Sequence, residues 1–276
     1  MSPNSTPVSS ARAFARAQRY AVSALDDQKH EETVRIAFSM DGSILLGNDV
    51  PIVTDANHAT RLWIGTRPCY LEIEGVVWSH FEDHDSQRWK ALHPDFDLKW
   101  KLEPDIVLWS CVDRGPHAFL ASEWLLEKSC GIENEREFVA HLNADHRALI
   151  EALIAEFSEF DGAGARVVSI NPEGLVLQAN GGGLIHVDLD ALCPNADCVG
   201  TALLRLIKNV ASVSGRFDSA SRALDLSKYV GGGGRSSTGR VIGREQRQIV
   251  TGVPKEISRG LAGRLLNRRL GEFFSR

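Results

Sequence analysis

Residues 20–128 read as a succession of short strand-like runs separated by turn signals, and that pattern limits the fold more than any other feature of the chain. YAVSAL (20–25) and TVRIAFSM (33–40) have strand composition, and Asp41-Gly42 supplies a tight turn before SILLGNDV. ANHATRL (56–62) reads as a short helical turn. PCYLEIEGVVWSHF (68–81) is a long strand-like run, with Gly75 suited to a bulge. A helix is expected from His84 to Leu92, stopping near His93-Pro94 because a proline disfavours helix in the residue before it. DLKWKLEP, DIVLWSCVD and HAFLASEWLL then read as closing strands. Several antiparallel strands with one or two short helices predict a small barrel.

A second unit follows, from about residue 132 to 213. Asn134 is a fitting N-cap and Glu137 stands where a capping box needs it, so one helix is predicted to run on to about Phe160. RVVSI and LVLQA are joined by Asn171-Pro172-Glu173-Gly174, a strong turn signal, and LIHVDLD follows NGGG. Residues 199–213 close the unit as a helix, giving α-β-β-β-α order. At 276 residues the chain has room for two such units. The expected division is a flexible N-terminus (1–19), a barrel (20–130), a small α+β domain (131–213), and a Gly-rich linker with a basic amphipathic tail (214–276).

Charge is distributed unevenly. Residues 214–276 carry 13 Lys/Arg against 5 Asp/Glu, a net of +8, and the remainder has a net of −13. Within the tail, Ile257, Leu261, Leu265, Leu266, Leu270 and Phe273 recur at helical spacing among arginines. Such a helix suits an acidic protein face, a membrane surface or RNA through residues 235–276, and it equally suits a helix folded back on the acidic body. No run approaches the roughly 18 apolar residues that span a bilayer. The five cysteines are odd in number and scattered, with no apolar leader, so free thiols and a cytoplasmic location are expected. Cys193 and Cys198, in CPNADC, read as unrelated loop thiols, the spacing being too wide for a zinc knuckle.

The stretch FVAHLNADHRALIEAL (138–153) carries the most chemistry. Val139, Leu142, His146, Leu149, Ile150 and Leu153 share one helical face, which puts His146 on the buried stripe. There it needs a hydrogen-bond partner or a metal. His141 precedes Asp145 by one turn and can pair with it. Five positions apart on a continuous helix, the two imidazoles diverge by about 140°, too far for one iron. A satisfied core histidine and an axial ligand both remain open. Other candidates are thinner. His80 and His84 flank acids without metalloprotease order, and GGGGRSSTGRV lacks the Lys-Ser/Thr of a phosphate loop. His186 alternates with Ile185 and Val187 and is expected to face solvent, and no nucleophile elbow is present.

AHLNADHRALIEAL resembles the HMNADH-type signature helix of the small α+β domain found in haem-utilisation proteins. The likeness continues through ARVVSINPEGLVLQ to about Lys208, with Asn-Pro-Glu-Gly where the family has Asp-x-x-Gly. In that family the domain often follows a split β-barrel of the pyridoxamine-5'-phosphate-oxidase type. Residues 20–128 resemble such a barrel through AVSALD, NHATRL and HPDFDLKWKLEPDIVLWSCVD. The resemblance implies an α+β protein, a split β-barrel of flavin-reductase type followed by the small domain. It also implies a cytoplasmic homodimer and a haem cofactor, with His146 or His141 on the iron, Asn143 and Asp145 orienting, and His58 as a further candidate. Haem degradation or regulation of haem supply would be the role. Two alternatives stand beside it. One is a flavin-dependent oxidoreductase, although no basic cluster for the phosphate of FMN is visible. The other is a non-catalytic adaptor that docks a partner enzyme, membrane or RNA through its tail.

Overall fold

Alternating side chains turn one face of each strand inward, and seven strands joined in this way form an antiparallel sheet. The computed structural model describes residues 6–24, 31–47, 60–79, 81–126, 134–189, 192–193 and 195–214. The strands are β1 Tyr20–Ala24, β2 Glu31–Phe38, β3 Ile44–Gly47, β4 Thr60–Thr66, β5 Cys69–Trp78, β6 Leu98–Cys111 and β7 Gly115–Leu120. They follow the order β3-β2-β1-β4-β5-β6-β7, and β3 also pairs with β6. Six strands therefore close an antiparallel barrel, with β7 as an extra strand. Ile36, Ile44, Leu62, Ile64, Leu71, Ile73, Leu102 and Trp109 fill its interior.

The 14-residue β6 makes this closure possible. Leu98–Leu102 pair with β3, and Ile106–Cys111 pair with β7 on the same edge. Pro104, which has no N–H to offer a ladder, lies between the two pairings. The predicted bulge is observed across from it, between Glu74 and Gly75. A Cβ at Gly75 would meet the Glu103 carbonyl oxygen at 2.1 Å, so only glycine permits the approach.

Several expectations change here. Residues 60–62 belong to β4, not to a helical turn. The last predicted strand stops at Leu120, and α3 (Ala121–Trp124) follows. Cys69 and Cys111 face each other across β5 and β6 and form a disulfide, in place of free thiols; strand register brings them together, and spacing does not show it. The segment expected to be flexible contains α1 (Pro7–Arg16), which Thr6 caps by accepting a hydrogen bond from the Ser9 amide. Pro7 suits the first turn because no partner for its missing N–H is needed there. As expected, a helix ends near His93: α2 spans Asp83–Leu92.

The second sheet is β10-β9-β8, built from β8 Arg166–Asn171, β9 Gly174–Gln178 and β10 Leu184–Asp188. Pro172-Glu173 make the predicted turn between β8 and β9. Helix α6 (Ala196–Ser214) closes the unit. The long helix expected from Asn134 is two helices, α4 (Glu135–Asp145) and α5 (Arg147–Phe157), broken at His146. The Asn134 side chain makes no capping bond. Glu135 is turned instead to Arg88 Nε at 2.8 Å and to the Ile170 amide at 2.8 Å. An apolar seam of Ala37, Leu45, Trp89, Leu92, Val168, Val176 and Leu184 joins the barrel to this sheet. At about 1.5–3 kcal/mol for each large side chain removed from water, the seam outweighs any single hydrogen bond across the joint, worth about 1 kcal/mol. Among the described residues, no helix is long and apolar enough to cross a membrane.

Candidate functional site

Nothing in HLNADHRAL is a helix breaker, yet His146 has φ −125° and ψ 31° and ends one helix while opening the next. A tertiary contact acts at this point. Asn143 Nδ2 donates to the Val167 carbonyl at 2.9 Å, and Oδ1 accepts from the Val167 amide at 2.8 Å. Val167 sits where the β8–β9 register shifts, so the amide side chain satisfies backbone groups at an irregular point of the ladder. Asn143 thereby pins the end of α4 to β8 and does not touch either histidine ring through these bonds.

The break overturns the predicted divergence of the imidazoles. His141 Nε2 and His146 Nε2 lie 3.1 Å apart, with the rings edge to face at 84°. His141 Nδ1 is 2.8 Å from Asp145 Oδ2. The carboxylate accepts from Nδ1–H, which leaves His141 Nε2 to share a hydrogen bond with His146 Nε2. Exposure grades along the relay: Asp145 is 63 % exposed, the His141 side chain 12 % and His146 6 %. Burial, with the neighbouring His141 second, holds the His146 pKa below the ordinary histidine value, against the opposing pull of Asp145. His146 is therefore uncharged at neutral pH. The relay can orient an imidazole, move a proton between two rings, or offer one ring nitrogen to a metal.

Three other sequence candidates resolve differently. His58 and His80 lie outside the described residues, as does the basic tail, residues 235–276. His186 occupies the strand face opposite Ile185 and Val187, as alternation requires, but that face is not open to water. Its side chain is 2 % exposed, since α1 packs on β10. Nδ1 donates to Asp188 Oδ1 at 3.1 Å, and Nε2 faces Asn171 Nδ2 at 3.3 Å. Burial again sets its pKa low. Beside it Glu173, in the β8–β9 turn, accepts from both Arg12 and Arg16 of α1, and all three are buried. Sequence reading passed over this cluster because arginines one turn apart in an Ala-rich leader carry no signal of their acidic partner.

The barrel carries a cavity of about 410 Å³ lined by Tyr20, Thr33, Trp63, Thr66 and Arg67. A second, of about 290 Å³, is lined by Asp41, Trp78, Glu82, Lys101 and Glu103. Neither includes His141 or His146. Among the described residues, no group of three or more His, Cys, Asp or Glu is arranged to hold a metal ion.

The sequence matches no protein-family model and no curated protein. Solved structures do match. The protein Atu2129 from Agrobacterium tumefaciens str. C58, of unknown function, is 16 % identical with a TM-score of 0.54, over 74 % of this chain and 100 % of that one. A heme binding protein from Mycobacterium smegmatis is 15 % identical with a TM-score of 0.35, over 76 % of this chain and 100 % of that one. The first likeness shows the barrel fold and says nothing of activity; the second is too loose to bear on function.

Proposed function

We propose that this chain is a haem-binding protein of haem utilisation, with His141 as the axial ligand at the α4–α5 break. The observation that carries the reading is the relay from Asp145 through His141 to His146. A ligand imidazole commonly has its far nitrogen fixed by a carboxylate, which sets the tautomer and raises basicity. Asp145 stands in that place, at 2.8 Å from Nδ1. The donor set also favours haem over a bare ion. Two imidazole nitrogens converge and the Asp145 carboxylate is engaged by His141 Nδ1, whereas a bare zinc ion asks for three or four protein ligands, and no such group stands among the described residues. Haem brings four equatorial nitrogens of its own and asks for one or two more. When bound, the iron would supply whatever oxygen or electron-transfer chemistry follows.

For this, His146 must release its hydrogen bond to His141 Nε2, at a cost of about 1–3 kcal/mol because the donor it leaves unpaired is buried. Asp145 keeps the ring oriented meanwhile. The resemblance to haem-utilisation proteins adds a homodimer, whose second copy would supply walls that the two cavities do not. Haem degradation and regulation of haem supply are both compatible with this site.

Haem titration of the purified chain, followed by the Soret band, tests the reading. A stoichiometric band that His141→Ala removes is the expected result. A band of equal strength in His141→Ala, with the variant folded, would move the ligand elsewhere. No specific band in the parent protein would end the haem reading.

A further inference from the structure

Two thiols outside the histidine site are placed for chemistry of their own. Cys193 follows β10 and is buried in the core of the small unit beside Val199 and Leu203, while Cys198 lies in the first turn of α6 and is partly exposed. Their sulfurs are 2.8 Å apart. Both backbones are anchored: the Cys193 amide donates to the Pro172 carbonyl at 2.7 Å, and the Cys198 amide donates to Asn195 Oδ1 at 2.9 Å. The reading of two unrelated loop thiols therefore fails. The turn into α6 brings together what a four-residue gap leaves ambiguous in sequence. A bond of about 2.0 Å between them asks for a small rotation at each side chain.

We propose that Cys193 and Cys198 form a dithiol–disulfide couple whose oxidant is a low-molecular-weight disulfide. The steps balance. The Cys198 thiolate, on the exposed side, attacks one sulfur of the small disulfide; that S–S bond breaks, and one small thiolate leaves and takes up a proton. The Cys193 thiolate then attacks Cys198 Sγ, the mixed disulfide breaks, and the second small thiol leaves. Two protein thiols lose two electrons and two protons, and the small disulfide departs as two thiols.

The two sulfurs divide these roles by environment. Burial pushes the Cys193 thiol up to about 12, so it does not compete for the oxidant from solution. Its thiolate is scarce but strongly nucleophilic, and its target is already in contact, which replaces a bimolecular encounter with an intramolecular one. The Cys69–Cys111 bond lies in the barrel and is already closed, so the two pairs separate on peptide mapping.

The test uses the full chain, incubated with oxidised glutathione, then alkylated, digested and weighed. The expected product is a cross-linked peptide joining Cys193 to Cys198, with two alkylatable thiols lost and no glutathione retained there. Cys193→Ser is expected to stop midway, holding one glutathione on Cys198. Stable glutathionylation of Cys198 in the parent chain, with Cys193 still alkylatable, would overturn the couple. So would two thiols that ignore the oxidant, and that outcome is read on the parent chain without any variant.

Discussion

An imidazole held by a carboxylate differs from one held by packing alone, and His141 and His186 show both what such a contact does and what burial adds. Asp145→Asn keeps the shape of the relay but offers His141 Nδ1 a weaker acceptor. Haem affinity is expected to fall about 10–100-fold, with unchanged far-UV circular dichroism; equal affinity would remove Asp145 from the site. His186 has a low pKa because it is buried, with Asp188 and Glu173 opposing and Arg16 reinforcing the shift. Its unfolded value is near 6.5. Below that pH the unfolded chain binds the extra proton and the native state resists it, so stability falls as pH drops from about 7 to 5. His146 contributes with the same sign. His186→Gln cannot titrate and should flatten part of that loss in a thermal melt series, whereas an unaltered slope would contradict the assignment. The residues of the relay were legible in sequence, but their convergence was not. Alternation told which strand face His186 takes and could not tell that α1 covers it.

At the scale of elements, the features that sequence conveyed are those decided locally. The bulge at Gly75 and the turn at Pro172-Glu173 appear where residue type demands them. The features it missed are decided at a distance. The helix breaks at His146 because Asn143 is tied to β8, and α1 is ordered because Arg12 and Arg16 reach a glutamate more than 150 residues away. That docking carries a prediction. Glu173→Ala leaves two guanidinium groups buried without their carboxylate, and breaking a buried ion pair typically costs about 3–5 kcal/mol. Urea unfolding should show a loss of that size. A loss below about 1 kcal/mol, the level of a surface ion pair, would mean that α1 is held by apolar contacts alone.

For the whole molecule, a closed barrel with an extra strand and a small three-stranded unit share one apolar seam. Fold class was legible because alternation and turn signals agree. The barrel was legible as well, but the way it closes was not, because no local pattern shows that β6 is long enough to pair with β3 and β7 along one edge. Within that frame Asn143 ties α4 to β8 beside the histidine relay. The most direct measurement is a Soret titration of His141→Gly with and without added imidazole. The variant is expected to bind haem weakly alone and to regain the parent spectrum when imidazole fills the vacated place. A parent-like Soret band in the variant without imidazole would remove His141 as the ligand, since the iron would then be held by another residue.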